Sequence, residues 1–389
     1  MTTRTVEVQG QCDEQFLGVR DAFAENFEKF GEAGAAVSVT IDGKPVIDLW
    51  GGVVDKDTKK PWQQDTIVTV YSTTKGMTTI CAHRLVEQGL LDLNAPVAKY
   101  WPEFAQGGKA DVPVHMLLTH RVGLPAVSEK MPDGAVFDWE AMTGALARQK
   151  PFWEPGTQYG YHALTFGWLV GEVVRRISGK SLGAFFRDEV ASPLGLDFHI
   201  GVDPKHDSRI ATMYRPEPSP ETARKLEQIE KEAQAKMDPA LVAARGNIST
   251  GGAHNSEAWR RSELPAANGH SDAGSLARVY GALACGGDLD GVRVLSPEAI
   301  AKATTEQSAV PDAFMGNPTR IALGFRLSCD GNMGPNPRSF GHRGAGGSIG
   351  FADPGRGIGF GYVMNQMKAD LPGETTTGVR LINALYAAL

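Results

Sequence analysis

Ser72-Thr73-Thr74-Lys75 follows the apolar run Ile67-Val68-Thr69-Val70-Tyr71 and opens a helical pattern that reaches about Gln88, stopping near Gly89. Residues three apart on a helix share a face, so the Lys75 amine can sit beside the Ser72 hydroxyl. That is the arrangement of a serine nucleophile with a lysine as its base. The spacing also has a plainer reading, with Ser72 as a helix cap and Lys75 as a solvated first-turn charge. The tetrad is the only Ser-x-x-Lys in the chain, and it lies at a strand-to-helix junction.

Upstream of it, Cys12 to Phe30 reads as an amphipathic helix with Phe16, Val19, Phe23 and Phe27 on its apolar face. Ala36–Ile41 and Pro45–Trp50 flank the turn Asp42-Gly43-Lys44, a β-hairpin signal. Downstream, helical patterns and loops run to about residue 275. They include a helix over Val170–Ile177 ending near Gly179, a charged solvent-facing helix over Glu221–Ala235, and a Gly/Asn/Ser-rich loop over Arg245–Gly269. A helix over Ser275–Cys285, strands at Gly324–Ser328, Gly350–Ala352 and Ile358–Met364, and an amphipathic helix over Thr377–Leu389 complete the chain. No internal repeat is visible. Strands at both ends and helices between them predict an α+β fold, one sheet built from both termini. The expected division is a sheet domain of residues 1–75 and 276–389 with an inserted, mainly helical domain of residues 76–275.

Size and composition narrow the function. At 389 residues the chain exceeds the roughly 250–300 at which one core stops growing, so two packed lobes are expected. Hydrophobic residues at 42% and charged residues at 22% fit a soluble globular enzyme. A net charge of -6, with no basic run, argues against nucleic-acid and anionic-membrane partners. Cys12, Cys81, Cys285 and Cys329 lie far apart and read as free thiols of a reducing compartment. Met1–Glu14 has no apolar core of a leader, and no stretch reaches the roughly 18 apolar residues of a membrane helix, so a cytoplasmic location is expected.

Two further stretches carry chemistry. In Pro155-Gly156-Thr157-Gln158-Tyr159-Gly160-Tyr161-His162, a Pro-Gly turn precedes two tyrosines that either face a cleft or simply pack. In Phe340–Gly350 the glycines permit close backbone approach, and Gly346-x-Ser348-x-Gly350 has the form of a nucleophile elbow. Chain order opposes that second reading, because a histidine should follow the elbow serine and none occurs after His342. Gly179-Lys180-Ser181 lacks the first glycine of a phosphate loop, Val174 standing in its place, and reads as a helix end. His115 and His120 have no His-Glu-x-x-His frame, so no metal site is expected. Gly355, Gly357, Gly359 and Gly361 read as a turn and a strand face pressed against a helix.

Taken together and in order, these motifs resemble the serine β-lactamase-like superfamily, and most of all family VIII carboxylesterases, the branch related to class C β-lactamases and penicillin-binding proteins. Ser72–Lys75 matches Ser-x-x-Lys, Tyr161-His162-Ala163 the Tyr-x-Asn position, and His342-Arg343-Gly344 the Lys-Thr-Gly position. Leu117–Pro125, Pro155-Gly156-Thr157, Gly341–Gly347 and Asp353-Pro354 agree with the flanking blocks, and the likeness runs from about residue 15 to the C-terminus. Two departures stand out. Ala163 replaces the asparagine that helps hold a β-lactam amide side chain, and His342 replaces a lysine that would greet a substrate carboxylate. Both favour simple, neutral esters.

The resemblance implies a carboxylesterase acting through an acyl-enzyme on Ser72, with Lys75 and Tyr161 as the base system. The backbone N–H groups of Ser72 and Ala345 would form the oxyanion hole, Gly344 would contact substrate, and His342 would orient the substrate or the Tyr161 hydroxyl. A lysine of ordinary pKa ~10.4 must fall ~3 units to serve as base near neutrality, about 4 kcal/mol, which burial can supply. Whether Lys75 or a Tyr161 phenolate takes the proton stays open at this level. The chemistry requires no cofactor or metal, and the expected partner is a small ester. The alternatives are a β-lactamase, D-amino-acid peptidase or acyltransferase of the same fold, or an inactive binding protein on this scaffold.

Overall fold

The computed structural model describes residues 6–250, 252–310, 312–313, 319–369 and 375–389. Its strands are β1 (Gln9–Cys12), β2 (Gly34–Ile41), β3 (Lys44–Gly52), β4 (Val68–Thr69), β5 (Phe198–His199), β6 (His270–Ser271), β7 (Asp288–Leu289), β8 (Val292–Arg293), β9 (Ser308–Ala309), β10 (Arg320–Ile321), β11 (Arg326–Leu327), β12 (Phe340–Arg343), β13 (Ile349–Asp353) and β14 (Ile358–Met364). Nine of them form one antiparallel sheet in the order β1-β3-β2-β14-β13-β12-β11-β10-β9. Both ends of the chain thus build a single sheet, β2 of the N-terminal hairpin lying beside β14 near the C-terminus. The fold is serine β-lactamase-like: a large antiparallel sheet flanked by helices.

The β2–β3 hairpin turns at Asp42 (φ 47°) and Gly43 (φ 76°), the two positive-φ positions that match the twist of a tight hairpin. One sheet face carries Val37, Val39, Leu49, Phe351 and Phe360, and it is covered by helix α1 (Leu17–Phe30) and the C-terminal helix Thr377–Ala387. The other face receives the Ala273–Ala284 helix at close range. A Cβ on Gly359 would lie 2.2 Å from the Ala277 carbonyl, and one on Gly361 2.2 Å from that of Ala273. The alternating glycines do mark a strand face pressed against a helix. Helix α2 (Thr74–Glu87) packs against β12 and against the Thr165–Ser178 helix of the central segment.

Some expectations change. Cys12 ends β1 and is not helical; α1 begins at Leu17 after a short turn over Glu14–Phe16. Within Arg245–Gly269, read as loop, Glu257–Arg261 forms a short helix capped by the Ser256 side chain. The charged helix forms over Pro220–Gln234 and buries none of its residues. Gly179, in the left-handed conformation (φ 70°), ends the Thr165–Ser178 helix as expected. The four cysteines are free, and among the described residues no helix is long and apolar enough to cross a membrane.

Candidate active site

Ser72 sits in the tight turn Tyr71–Thr73 that feeds α2. Tyr71 takes a left-handed φ of 45°, a conformation that costs of order 1 kcal/mol or more for a bulky residue and must be held by its surroundings. Thr74 Oγ1 donates to the Tyr71 carbonyl and accepts from the Gly269 N–H at 2.9 Å. Thr73 Oγ1 lies 3.2 Å from Ser348 Oγ, whose hydroxyl donates to the Val70 carbonyl at 2.7 Å. The middle residues of the tetrad are therefore fasteners. They fix the backbone so that Ser72, alone of the four, retains partial exposure.

Lys75 is fully buried and is no solvated first-turn charge. Its Nζ lies 3.1 Å from Ser72 Oγ and donates to the Ala163 carbonyl at 2.7 Å and the Ala266 carbonyl at 2.9 Å. The Ala266 carbonyl is held by the turn Pro265–Asn268, where the Asn268 side chain accepts from the Leu264 N–H and donates to the Trp259 and Ser262 carbonyls. Burial, and after it the positive charge of Arg326, push the Lys75 ammonium well below the ordinary lysine range.

The Tyr161 hydroxyl donates to Ser72 Oγ at 2.9 Å, so this tyrosine faces the cleft, whereas Tyr159 packs edge-on against His120. The irregular segment that carries Tyr161 is strapped down residue by residue. Gly160 N–H donates to the His120 carbonyl at 3.2 Å, Tyr161 N–H to Asp312 Oδ2 at 3.0 Å, and His162 N–H to His120 Nδ1 at 3.1 Å. His162 is itself locked, with Nδ1 2.6 Å from the Gly160 carbonyl and Nε2 accepting from the Leu124 N–H at 2.9 Å. Burial raises the Tyr161 phenol above its usual range, an effect that Arg326 and the bond to Ser72 oppose. The phenol is accordingly protonated at neutral pH, as a donor to Ser72 must be.

The β12–β13 connection closes the other side. A Cβ on Gly344 would lie 2.1 Å from Ser348 Oγ and 2.3 Å from the Val70 carbonyl, so this loop is pressed directly onto the turn that bears Ser72. Ala345, next along, is exposed. His342 is buried; its Nδ1 lies 2.6 Å from the Arg343 carbonyl, its Nε2 has no hydrogen-bond partner among the described residues, and its ring centroid is 6.1 Å from that of Tyr161. His342 therefore does not bond the Tyr161 hydroxyl. Ser348, the elbow candidate, is fully buried and engaged with Val70 and Thr73.

Sequence reasoning missed three members of the site. Asp312 and the Ala266 carbonyl carry no local motif. Arg326, whose guanidinium carbon lies 4.7 Å from the Tyr161 ring centroid, was legible only as a charge within a short apolar strand run. Among the described residues one trio, Asp197, His199 and His206, brings three possible metal-ligand atoms within 4.8 Å of one another. The Arg209 guanidinium already lies among them, donating to both Asp197 oxygens and lying 2.7 Å from His206 Nδ1, so a metal would have to displace it.

Comparison with known proteins places the chain in a family. The Beta-lactamase family model matches residues 22–384. The chain is 37% identical to the esterase/beta-lactamase LipL of Mycobacterium tuberculosis over 381 residues, covering 94% of this chain and 84% of that protein. A crystal structure of a family VIII carboxylesterase superposes with a TM-score of 0.89 at 43% identity, covering 98% of this chain and all of the other. A penicillin-binding protein homologue from Caulobacter crescentus superposes with the same score at 38% identity and the same coverage. The chain belongs to the Beta-lactamase family, with family VIII carboxylesterases among its close structural neighbours.

Proposed function

We propose that the protein is a serine hydrolase that cleaves short-chain carboxylic esters through an acyl-enzyme on Ser72. The observation that carries this reading is the surround of Ser72 Oγ, with the Tyr161 hydroxyl at 2.9 Å and Lys75 Nζ at 3.1 Å. Two carbonyls take two directions around the lysine nitrogen. A neutral amine has two N–H groups and one lone pair. With both N–H groups committed to Ala163 and Ala266, the lone pair is left to face Ser72. Desolvation makes this half-buried phenol a poor phenolate, so Lys75 is the base and Tyr161 the acid.

In acylation the Ser72 proton passes to Lys75 as Oγ bonds the ester carbon and the carbonyl π pair moves to oxygen. The N–H groups of Ser72 and Ala345 would receive this oxyanion, a role supported by the close approach of Gly344 to the Val70–Thr73 turn. One such donor is worth about 3–4 kcal/mol. Collapse breaks the carbon–alkoxide bond, and the alkoxide takes a proton from Tyr161, which Lys75 replenishes. Water then attacks the acyl-enzyme, giving its proton to the base, and the acid product leaves with Ser72 restored. Gly344, pressed on the Ser72 turn, and His342, beside the Tyr161 ring, would contact the substrate.

The names of relatives support ester cleavage, and one couples it to β-lactam hydrolysis. Ala163 lacks the side-chain amide that would grip a β-lactam, so the ester is favoured. The test is mass spectrometry of protein quenched during turnover of p-nitrophenyl butyrate, with nitrocefin as a parallel substrate. An acyl adduct on the Ser72 peptide, absent from Ser72→Ala, is expected. An adduct elsewhere, or nitrocefin turnover exceeding that of the ester, overturns the reading.

A further inference from the structure

Arg326 lies on β11 opposite Gly341 of β12, next to the strand position of His342. Its guanidinium carbon is 4.7 Å from the Tyr161 ring centroid, and Lys75 Nζ is 4.8 Å from the same centroid. Both lie within the reach of a cation–π contact. Two potentially cationic groups thus share one phenol and stand within about 10 Å of each other. Three imidazoles, those of His120, His162 and His342, are packed into the same space, all buried. The carboxylate facing this group is that of Asp312, which is buried and holds the Tyr161 N–H at 3.0 Å.

We infer that Arg326 is a positioning residue of the acylation step: a fixed charge stacked on Tyr161 that holds the phenol over Ser72 Oγ and keeps Lys75 in its uncharged, proton-accepting form. The inference rests on the reading of Lys75 as base. Its logic is electrostatic. The histidines are all held neutral by burial, so they add no charge to the pocket. Arginine stays protonated, and its planar guanidinium can lie on an aromatic face, which an ammonium does less well. A permanent cation raises the free energy of a second cation on Lys75 and lowers that of negative charge growing on Tyr161 oxygen as it gives up its proton. One side chain therefore favours both halves of the proton relay. Desolvation alone would help Lys75 but hinder Tyr161, so burial by itself cannot tune the pair.

The test is the pH dependence of kcat/KM for p-nitrophenyl butyrate in the wild type, Arg326→Lys, Arg326→Met, Arg326→Gln and Lys75→Met, with thermal unfolding recorded for each. In the wild type the rate rises with pH as Lys75 loses its proton. In both neutral variants this acid limb should move to higher pH by about one unit, so that the rate below the limb falls about tenfold more than the rate above it. Arg326→Lys should keep the limb in place and lower only the plateau. Should Arg326→Met fail to fold, Arg326→Gln supplies the neutral comparison with a side chain suited to a polar pocket. An equal loss at every pH in the neutral variants, or a shift in Arg326→Lys as large as theirs, overturns the role of Arg326. A wild-type profile without the limb, or a limb that persists in Lys75→Met, instead overturns the lysine-base reading beneath it.

Discussion

The backbone carbonyl of Ala163 accepts a hydrogen bond from Lys75 Nζ at 2.7 Å. Residue 163 is where the wider family carries an asparagine, and the loss of that side chain leaves this main-chain bond in place. Because the Ala163 side chain is exposed, Ala163→Asn should retain ester hydrolysis within about threefold, as surface changes usually do. It should also raise the ratio of nitrocefin to ester turnover by restoring an amide to the cleft. Paired assays on the two substrates decide it; a collapse of ester turnover would mean that the side chain, and not the carbonyl, governs Lys75.

Lys75 and Tyr161 predict different severities of loss. Lys75→Met removes the base and leaves the Ala163 and Ala266 carbonyls without their donor, each a penalty of about 1–3 kcal/mol. The expected outcome is a fall in kcat of about a thousandfold or more, with a lower unfolding temperature. Tyr161→Phe keeps the ring that Arg326 and Lys75 flank and deletes only the donor to Ser72. Its kcat should fall about a hundredfold with KM little changed and stability preserved. Steady-state kinetics with calorimetry on both variants checks this; a Tyr161→Phe enzyme at full rate would remove the phenol from the mechanism.

The β12–β13 loop separates a fastening serine from a shape-critical glycine. Ser348→Ala deletes the buried hydrogen bond to the Val70 carbonyl and the contact with Thr73 Oγ1, and should cost about 1–3 kcal/mol while sparing most of the activity. Gly344→Ala drives a methyl into that same carbonyl, 2.3 Å from the new carbon, so the turn bearing Ser72 must move. Activity should drop more than a hundredfold, since sub-ångström errors in oxyanion geometry are heavily penalised. The double variant should stay inactive, because removing the serine oxygen relieves only one of the two collisions. Ester hydrolysis lost in Ser348→Ala with an intact fold would restore the elbow-nucleophile reading.

These residues also mark how far the sequence reaches. Ser72 and Lys75 are one helical turn apart, so their meeting is local and readable from spacing. Tyr161 was readable only because the Pro-Gly turn and the other motifs placed it in order. Arg326 is brought in by the pairing of β11 with β12, and Asp312, outside any strand, by the bond it accepts from the Tyr161 N–H; no short pattern encodes either. The Ala266 carbonyl has no side-chain signature at all. The β1 error has a similar cause. Gln9–Cys12 is a mostly exposed edge strand bound to β3 through its backbone, so its side chains show no alternation to read. Gly359 and Gly361, by contrast, were legible because a bare strand face has few explanations besides a close helix.

Asp272 links the small β4–β6–β5 sheet to the helix behind the main one, and it predicts how stability follows pH. Its carboxylate caps the Ala273–Ala284 helix by accepting the Ser275 N–H. Burial foremost, with the Asp197 and Asp48 charges adding to it, raises its pKa from 3.8 to about 7. Between those values the folded protein binds a proton that the unfolded chain has released. The fold is therefore favoured at low pH with respect to this group, and that advantage is lost as pH rises through about 7. Asn caps a helix about as well as Asp and carries no charge to bury. Asp272→Asn should match the wild type most closely near pH 4 and exceed it by a margin that grows to about 2–4 kcal/mol by pH 8, then levels off. Urea midpoints for the two proteins at pH 5.5, 7 and 8.5 measure that margin; a constant difference across the series would mean that Asp272 keeps an ordinary carboxylate pKa and that the cap, not the charge, sets its contribution.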